Sequence, residues 1–566
     1  MISLFFSRGL KHQTRAARAS SNSLKFLRSA GATPSYGGIS RLHSRSALCM
    51  SSNEDLSAKI AAQGSIVRDL KANKAPKDDV KTAVDVLLSL KVDLAKAEGT
   101  GADIAPVMAK EKAPAVISES LKADLALPKV DYFSVQSNQD IEYGDYGTIM
   151  SQGKSGRNLV RVKELGTSDG PKEGEVIWLR GRVSSVRAKG NTCFVVIRSE
   201  SFYSVQACHF KDKENPDVSK KMINFIENIA LESIVDICGV VAPANVKSCS
   251  QGNVEIQIKK IFAVNRAATV LPFLLEDASR SQEEIDASQG TDRPFAGVSQ
   301  DARLNTRWVD LRVPANNAII RIRAGIQMLF REALTKQGFI EINSPKLIGG
   351  ESEGGSNAFH TDYFGQKACL AQSPQLYKQM AISSDFPRVF EVGPVFRAEN
   401  SNTRRHLCEF TGLDLEMAIT EHYDETLHVA HNMFKHIFNG LEERYSKELA
   451  VIRQQYHSEP VQFTDEPCIV HWDDGMNMLK EAGEEVDVMD DLTGALELKL
   501  GELVKEKFGT DFFMLDQYPS SIRPFYTMPS PRDPLFSNSY DMFIRGQEIC
   551  SGAQRYVISE QCYVHV

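Results

Sequence analysis

Hydrophobic positions change their period along this 566-residue chain. Leu56, Ile60, Val67 and Leu70 recur at helical spacing, and Val80, Val84, Leu87, Leu88 and Leu94 do so again. Lys74-Ala75-Pro76-Lys77 separates the two runs, and proline suits the first turn of a new helix. The pattern predicts a helical hairpin over residues 54–98. Residues 99–135, rich in Ala, Gly, Lys and Pro, read as a linker. Short apolar runs follow at Val176–Val183, Cys193–Arg198, Tyr203–Cys208, Ile234–Val241 and Val254–Ile261, with a helical stretch at Lys220–Ile229. Five strands with a helix between the third and fourth predict an all-β OB-type barrel within 136–265. A polar connector spans 266–300. Beyond it, Ile319, Ile320, Ile322, Ile326, Leu329, Phe330 and Leu334 predict an amphipathic helix from Asn316 to Gln337, opening an α/β region over 301–566.

Composition changes this picture only at the N-terminus. The whole chain is ordinary for a globular protein, with 42% hydrophobic and 25% charged residues. A net charge of -7 gives no global basic signal, so any RNA contact must come from local patches. The ten cysteines form no C-x-x-C pair, which argues against a zinc site or a disulfide framework and fits a reducing compartment. No run of 18 apolar residues predicts a membrane span. Residues 1–53 contain no Asp or Glu but carry Arg8, Lys11, Arg15, Arg18, Lys25, Arg28, Arg41 and Arg45. That bias reads as a mitochondrial or plastid transit segment. The alternative is a basic tail that helps bind RNA. Initiation at Met50 would give a cytoplasmic form.

The chemistry concentrates in the last region. Arg388-Val389-Phe390-Glu391-Val392-Gly393-Pro394-Val395-Phe396-Arg397-Ala398-Glu399 leads into a polar loop, then Glu409-Phe410-Thr411-Gly412-Leu413-Asp414-Leu415-Glu416-Met417. Arg397 and Glu399, two apart, share a strand face. This segment resembles motif 2 of the class II aminoacyl-tRNA synthetases, and Phe339–Pro345 after the long helix resembles motif 1. Asn538–Ile549 and Ser551-Gly552-Ala553-Gln554-Arg555 resemble the aspartyl-tRNA synthetases of class IIb. The helical hairpin resembles the WHEP appendage, which turns its basic positions Lys59, Arg68, Lys71, Lys74, Lys77 and Lys81 from a solvated surface into a tRNA contact.

The resemblance implies an ATP-dependent ligase joining L-aspartate to the 3′ end of tRNA(Asp), with ATP and Mg²⁺. Arg397, Glu399, His406 and Arg555 are its expected catalytic residues. Arg397, Glu399, His406, Leu407, Phe410 and Glu548 would bind ATP. Glu353, Ser356, Gln375, Lys378, Arg397, Asp414, Ser551 and Arg555 would bind aspartate. Asp541 and Glu548 would hold Mg²⁺, although strict strand alternation puts residues seven apart on opposite faces. Arg187, Phe194 and Gln206 would contact the anticodon; Phe194 alone reads equally as barrel core. Motif 1, around Pro345, implies a homodimer, and membership of a multi-synthetase complex is open. The implied fold is multidomain: a helical hairpin, an OB-fold barrel, and a catalytic domain built on an antiparallel sheet.

One element of the family is not found. Motif 3, with its Gly-Leu-Glu-Arg arginine for the γ-phosphate, does not follow Arg555 before Val566. The expectation is a C-terminally truncated form that activates aspartate poorly. Two other readings stay open: an asparaginyl or non-discriminating aspartyl enzyme, and a non-catalytic tRNA-binding form.

Overall fold

The computed structural model describes residues 2–5, 59–60, 62–63, 65–66, 82–84, 86, 129–130, 146–149, 157–352, 357–400 and 407–556. The chain forms two units, Ser23–Asp124, and Met1–Asn22 together with Leu125–Val566. In the smaller unit, residues 59–60, 62–63 and 65–66 are helical, as are 82–84 and 86. Gln63 Nε2 donates to the Ala83 carbonyl at 3.0 Å and ties one helical run to the other. Lys59 is exposed; Arg68, Lys71, Lys74, Lys77 and Lys81 lie outside the described residues.

In the larger unit, β1 (Ile2–Phe5) belongs to the main sheet of the C-terminal region. The barrel follows the predicted strands. Short strands β2 (Lys129–Val130), β3 (Tyr146–Ile149) and β4 (Leu159–Val160) flank β5 (Val176–Lys189), β6 (Thr192–Ser199), β7 (Tyr203–Phe210), β8 (Ile234–Pro243) and β9 (Val254–Asn265). β5 pairs with β6, β6 with β7, β7 with β9, β9 with β8, and β8 with β5, so the ring closes. Alternation sorts the side chains: Cys193, Val195 and Ile197 point into the core with Ile177, Leu179 and Val183. Helix α1 (Pro216–Glu227) buries Met222, Ile223, Phe225 and Ile226 against them. It begins earlier than the apolar run suggested because Pro216 occupies its first turn, where its missing N–H costs nothing.

Helix α2 (Pro314–Lys336) opens the α/β region and buries Leu329, Phe330, Ala333 and Leu334. Ile319 and Ile320, expected on its apolar stripe, stay more than 40% exposed. Short strands β10 (Ile340–Glu341) and β11 (Leu347–Ile348) follow, then β12 (His360–Tyr363), β13 (Gln366–Leu370), α3 (Gln375–Ser383), β14 (Arg388–Phe396) and β15 (Glu409–Met417). Helices α4 (Asp424–Arg444), α5 (Ser446–Gln455) and α6 (Trp472–Glu481, after β16, Ile469–His471) lead to α7 (Gly494–Phe508). β17 (Phe512–Asp516), β18 (Ser539–Ile544) and β19 (Gln547–Gln554) finish the region.

The main sheet runs β10-β14-β15-β1-β19-β18-β17-β16 and is antiparallel except at its two edge pairings. β1 lies between β15 and β19, with Ser3 opposite both Glu416 and Ala553. One face is apolar. Phe390, Leu413, Leu415, Met417, Phe512, Met514, Tyr540 and Met542 pack there with Leu329 and Phe330 of α2 and Leu427 and Phe434 of α4. Each strand therefore turns its alternate residues, which carry the charges, to the opposite face. A second core of α6, α7, Phe513, Leu515 and Phe543 covers one end of that face. The rest of it is the site.

Candidate active site

β15 sends Asp414 and Glu416 to the charged face, two residues apart. Lys378, one turn into α3, is fully buried against them. Its Nζ lies 3.3 Å from Asp414 Oδ1, 3.6 Å from Glu416 Oε2, and donates to the Leu415 carbonyl at 3.3 Å. Arg555, just past β19, grips Glu416 through Nε at 2.8 Å and Nη2 at 3.1 Å. This planar, two-point grip is the strong form of the ion pair. Removal from water pushes the Asp414 carboxyl up from the usual range, against the pull of the Lys378 cation.

Arg397 follows the end of β14 and is buried beside this cluster on the same strand pair. Its backbone N–H donates to the Cys408 carbonyl at 3.0 Å, and its guanidinium lies 5.6 Å from the Phe410 ring centroid. Glu399 is half-buried, with its N–H donated to the Arg397 carbonyl, and Leu407 is exposed. Gln375, at the start of α3, buries an Oε1 that accepts from no donor among the described residues. The floor beside it is a closed network. Ser352 Oγ accepts from the N–H groups of Gln372 and Ser373, and Gln372 Oε1 accepts from Ser352 N at 3.1 Å. Glu353, Ser356 and His406 lie outside the described residues.

The β18–β19 hairpin corrects the expected placement of Asp541 and Glu548. They belong to different strands, and Phe543 pairs with Glu548. Cross-strand partners share a face, and Asp541 shares that face with Phe543, so both carboxylates lie on the site face. Ser551 joins them, paired with Asp541. The Tyr518 hydroxyl is pushed far up, first by burial and then by the charge of Asp541, with a further push from Glu548. Arg523 Nη2 sits 3.0 Å from Asp541 Oδ2, its guanidinium 3.7 Å over the Tyr518 ring.

Sequence reasoning assigned no role to Glu416 or Arg523. Glu416 was findable, because it follows Asp414 at strand spacing. Arg523 sits in the irregular segment between β17 and β18, where no periodicity marks a facing side chain. On the barrel, Arg187 is exposed, paired in register with Phe194. Phe194 lies on the outer face, not in the core, with its ring edge-on to Phe210 at 5.9 Å. Gln206 shares that face and donates to Glu255 at 2.9 Å.

A buried arginine over an aromatic ring, a neutralised lysine–carboxylate cluster and an OB barrel on one chain match a known class. Residues 299–563 match the model of the class II tRNA synthetases (D, K and N), residues 177–264 that of the OB-fold nucleic acid binding domain, and residues 56–110 that of the WHEP-TRS domain. The human cytoplasmic aspartate–tRNA ligase is 48% identical over 73% of this chain and 80% of its own length. An aspartyl-tRNA synthetase from Entamoeba histolytica is 41% identical, with a TM-score of 0.66, over 74% of this chain and 83% of its own. An asparaginyl-tRNA synthetase from Pyrococcus horikoshii is more distant: 26% identity and a TM-score of 0.57 over 69% of this chain and 83% of its own. The chain belongs to the aspartate–tRNA ligase family.

Proposed function

We propose that this chain joins L-aspartate to tRNA(Asp) at the expense of ATP. The observation that carries the reading is the Lys378–Asp414–Glu416–Arg555 cluster beside Arg397. Lys378 and Arg555 make the cationic end of the pocket, and Asp414 and Glu416 hold them in place. A substrate side-chain carboxylate accepts from the N–H groups of that end with both oxygens, whereas asparagine would turn an amide NH2, a donor, against those donors. Sites that depend on such pairing discriminate by about 10⁴ or more. Gln375 Oε1 accepts from the substrate ammonium, and Arg397 holds the α-phosphate and the substrate α-carboxylate together. Phe410 and Glu399 receive the adenine, with Leu407 beside it.

The α-carboxylate oxygen attacks the α-phosphorus, the bond to the bridging oxygen breaks, and pyrophosphate leaves. The terminal ribose hydroxyl of the tRNA then attacks the adenylate carbonyl, and AMP leaves. No protein nucleophile is needed; positioning and fixed charge do the work. Asp541 and Glu548 supply hard oxygen donors on one face, which suits Mg²⁺ held largely by phosphates and water. When bound, the ion neutralises phosphate charge.

Arg187, Phe194 and Gln206 form the anticodon face of the barrel. The WHEP hairpin adds phosphate contacts, and the exposed Ile319 and Ile320 of α2 meet a second copy of the chain. The segments are assigned as 54–98 hairpin, 99–135 linker, 136–265 barrel, 266–300 connector and 301–566 catalytic domain; within 1–53, read from the sequence as a leader, Ile2–Phe5 instead pair with β15 and β19. We place the protein in the cytoplasm, where its named relatives act; fusing residues 1–50 to a fluorescent protein tests an additional organellar form. Among the described residues, no helix is long and apolar enough to cross a membrane.

The deciding experiment is ATP–pyrophosphate exchange with the full chain. Aspartate, not asparagine, should raise exchange above the amino-acid-free background. Exchange supported by asparagine, or by neither, overturns the assignment.

A further inference from the structure

Glu232 lies in the turn before β8. It is a non-glycine residue at φ 69°, in the left-handed region, and it is buried. Such a conformation persists only where the surroundings hold it. Its own backbone is held by the barrel: Glu232 N donates to the Val183 carbonyl at 2.8 Å, and its carbonyl accepts from Arg182 Nη1 at 3.0 Å. Its carboxylate reaches both ways. Oε2 accepts from Arg198 Nη2 of β6 at 2.8 Å and from Arg312 Nη1 at 3.0 Å. Arg312 stands two residues before α2, outside the barrel. One buried oxygen thus joins the barrel to the catalytic region.

Rigid elements run away from that joint on both sides. Arg198 and Phe194 are four apart on β6, so they share a face about 13 Å apart. On the other side α2 begins at Pro314 and carries Arg323, whose Nη2 donates to Thr411 Oγ1 at 2.9 Å. Thr411 is the next residue after Phe410. The same helix holds the barrel a second time: Arg321 lies 4.7 Å over the Phe202 ring and donates to the Glu200 carbonyl at 3.4 Å.

We propose that Glu232 is a positioning residue that fixes the barrel on the catalytic domain, so that a tRNA held at Phe194 presents its 3′ end to the site at Arg397. This rests on the ligase reading above. Glu232 touches no reacting atom, so its loss should spare the tRNA-independent step.

E232G tests it, because glycine adopts a positive φ without strain and only the carboxylate is lost. R312Q removes the joint from the other side. In either variant, kcat/KM for tRNA in the charging reaction should fall about tenfold, the size of a coupling carried through such a network. Aspartate- and ATP-dependent pyrophosphate exchange should stay at the level of the unsubstituted chain. The double variant should lose no more than E232G alone, because both remove one contact. Charging that is unchanged, or exchange that falls in parallel with charging, overturns the proposal. A second readout does not depend on activity: hydrogen–deuterium exchange over residues 306–313 and 410–412 should quicken in E232G. Protection equal to that of the unsubstituted chain overturns the joint itself. If the unsubstituted chain shows no aspartate-dependent exchange, the ligase reading falls, and the protection data still decide on Glu232.

Discussion

At the scale of single residues, the site is a set of buried charges that hold one another. Glu416 is central, because it takes Arg555 at two points and lies within 3.6 Å of Lys378. E416Q keeps the shape and removes the charge, leaving two buried cations to share Asp414. Breaking a buried pair in this way costs about 3 kcal/mol or more. The kcat/KM for aspartate in pyrophosphate exchange should fall roughly a hundredfold, the rate equivalent of that loss. Activity within a few fold of the unsubstituted chain would remove Glu416 from the site.

Asp511 makes a separate prediction, about stability. It sits just before β17, accepts from Gln462 N at 2.9 Å, and pairs with Lys505 at 2.8 Å and Arg545 at 3.3 Å. Burial works against its charge, yet these partners win and its pKa lies below the ordinary carboxylate value. A depressed carboxylate stabilises the fold above its unfolded pKa, near pH ~4, and that contribution disappears as pH falls through the folded value. D511N should therefore destabilise by about 2 kcal/mol at neutral pH. The gap to the unsubstituted chain should close in denaturant melts taken below about pH 4. A gap that widens with acid would contradict the sign.

At the scale of elements, the hairpin carrying Asp541 and Glu548 depends on a backbone-to-backbone contact. A Cβ on Gly501 of α7 would sit 2.4 Å from Gly546 N, in the β18–β19 turn. Gly546 itself has φ 68°. Neither side can yield, because both are main chain. G501A should cost about 3 kcal/mol in thermal or urea unfolding, at the upper end of overpacking losses. Normal stability would mean that α7 lies farther from the hairpin.

The same hairpin marks the limit of what was legible. Alternation within single strands was readable, which is why Phe194 fell on its expected strand; Arg397 and Glu399, expected to share a strand face, instead follow the end of β14, where the Glu399 N–H turns back to the Arg397 carbonyl. The pairing of Phe543 with Glu548 was not, because register depends on a turn and a bulge between strands rather than on any one strand's pattern. Arg523 was hidden for the same reason, since an irregular segment carries no period. The exposure of Ile319 and Ile320 shows the converse: a helical stripe says which positions are apolar, not whether this copy of the chain covers them.

At the scale of the whole molecule, the barrel and catalytic sheet keep separate hydrophobic cores, and the Glu232–Arg312 and Arg321–Phe202 contacts cross between them. That division predicts separable losses. F194A removes a half-exposed ring from the outer face of the barrel without opening its core. It should weaken tRNA binding by about 1–3 kcal/mol, the value of one stacked base, while leaving pyrophosphate exchange intact. Filter binding with tRNA(Asp) would show this; unchanged affinity would move the anticodon contact elsewhere.

The main sheet has one apolar face and one charged face, and that asymmetry also bears on errors made while the chain folds. If β15 slid by one residue, Asp414 and Glu416 would turn into the layer now filled by Leu413, Leu415 and Met417. Two buried carboxylates without cations make that misalignment prohibitive. The acidic side chains that hold Lys378 and Arg555 together therefore also proofread strand pairing. Exchanging them for leucines would relax that check even where the folded state tolerated the change.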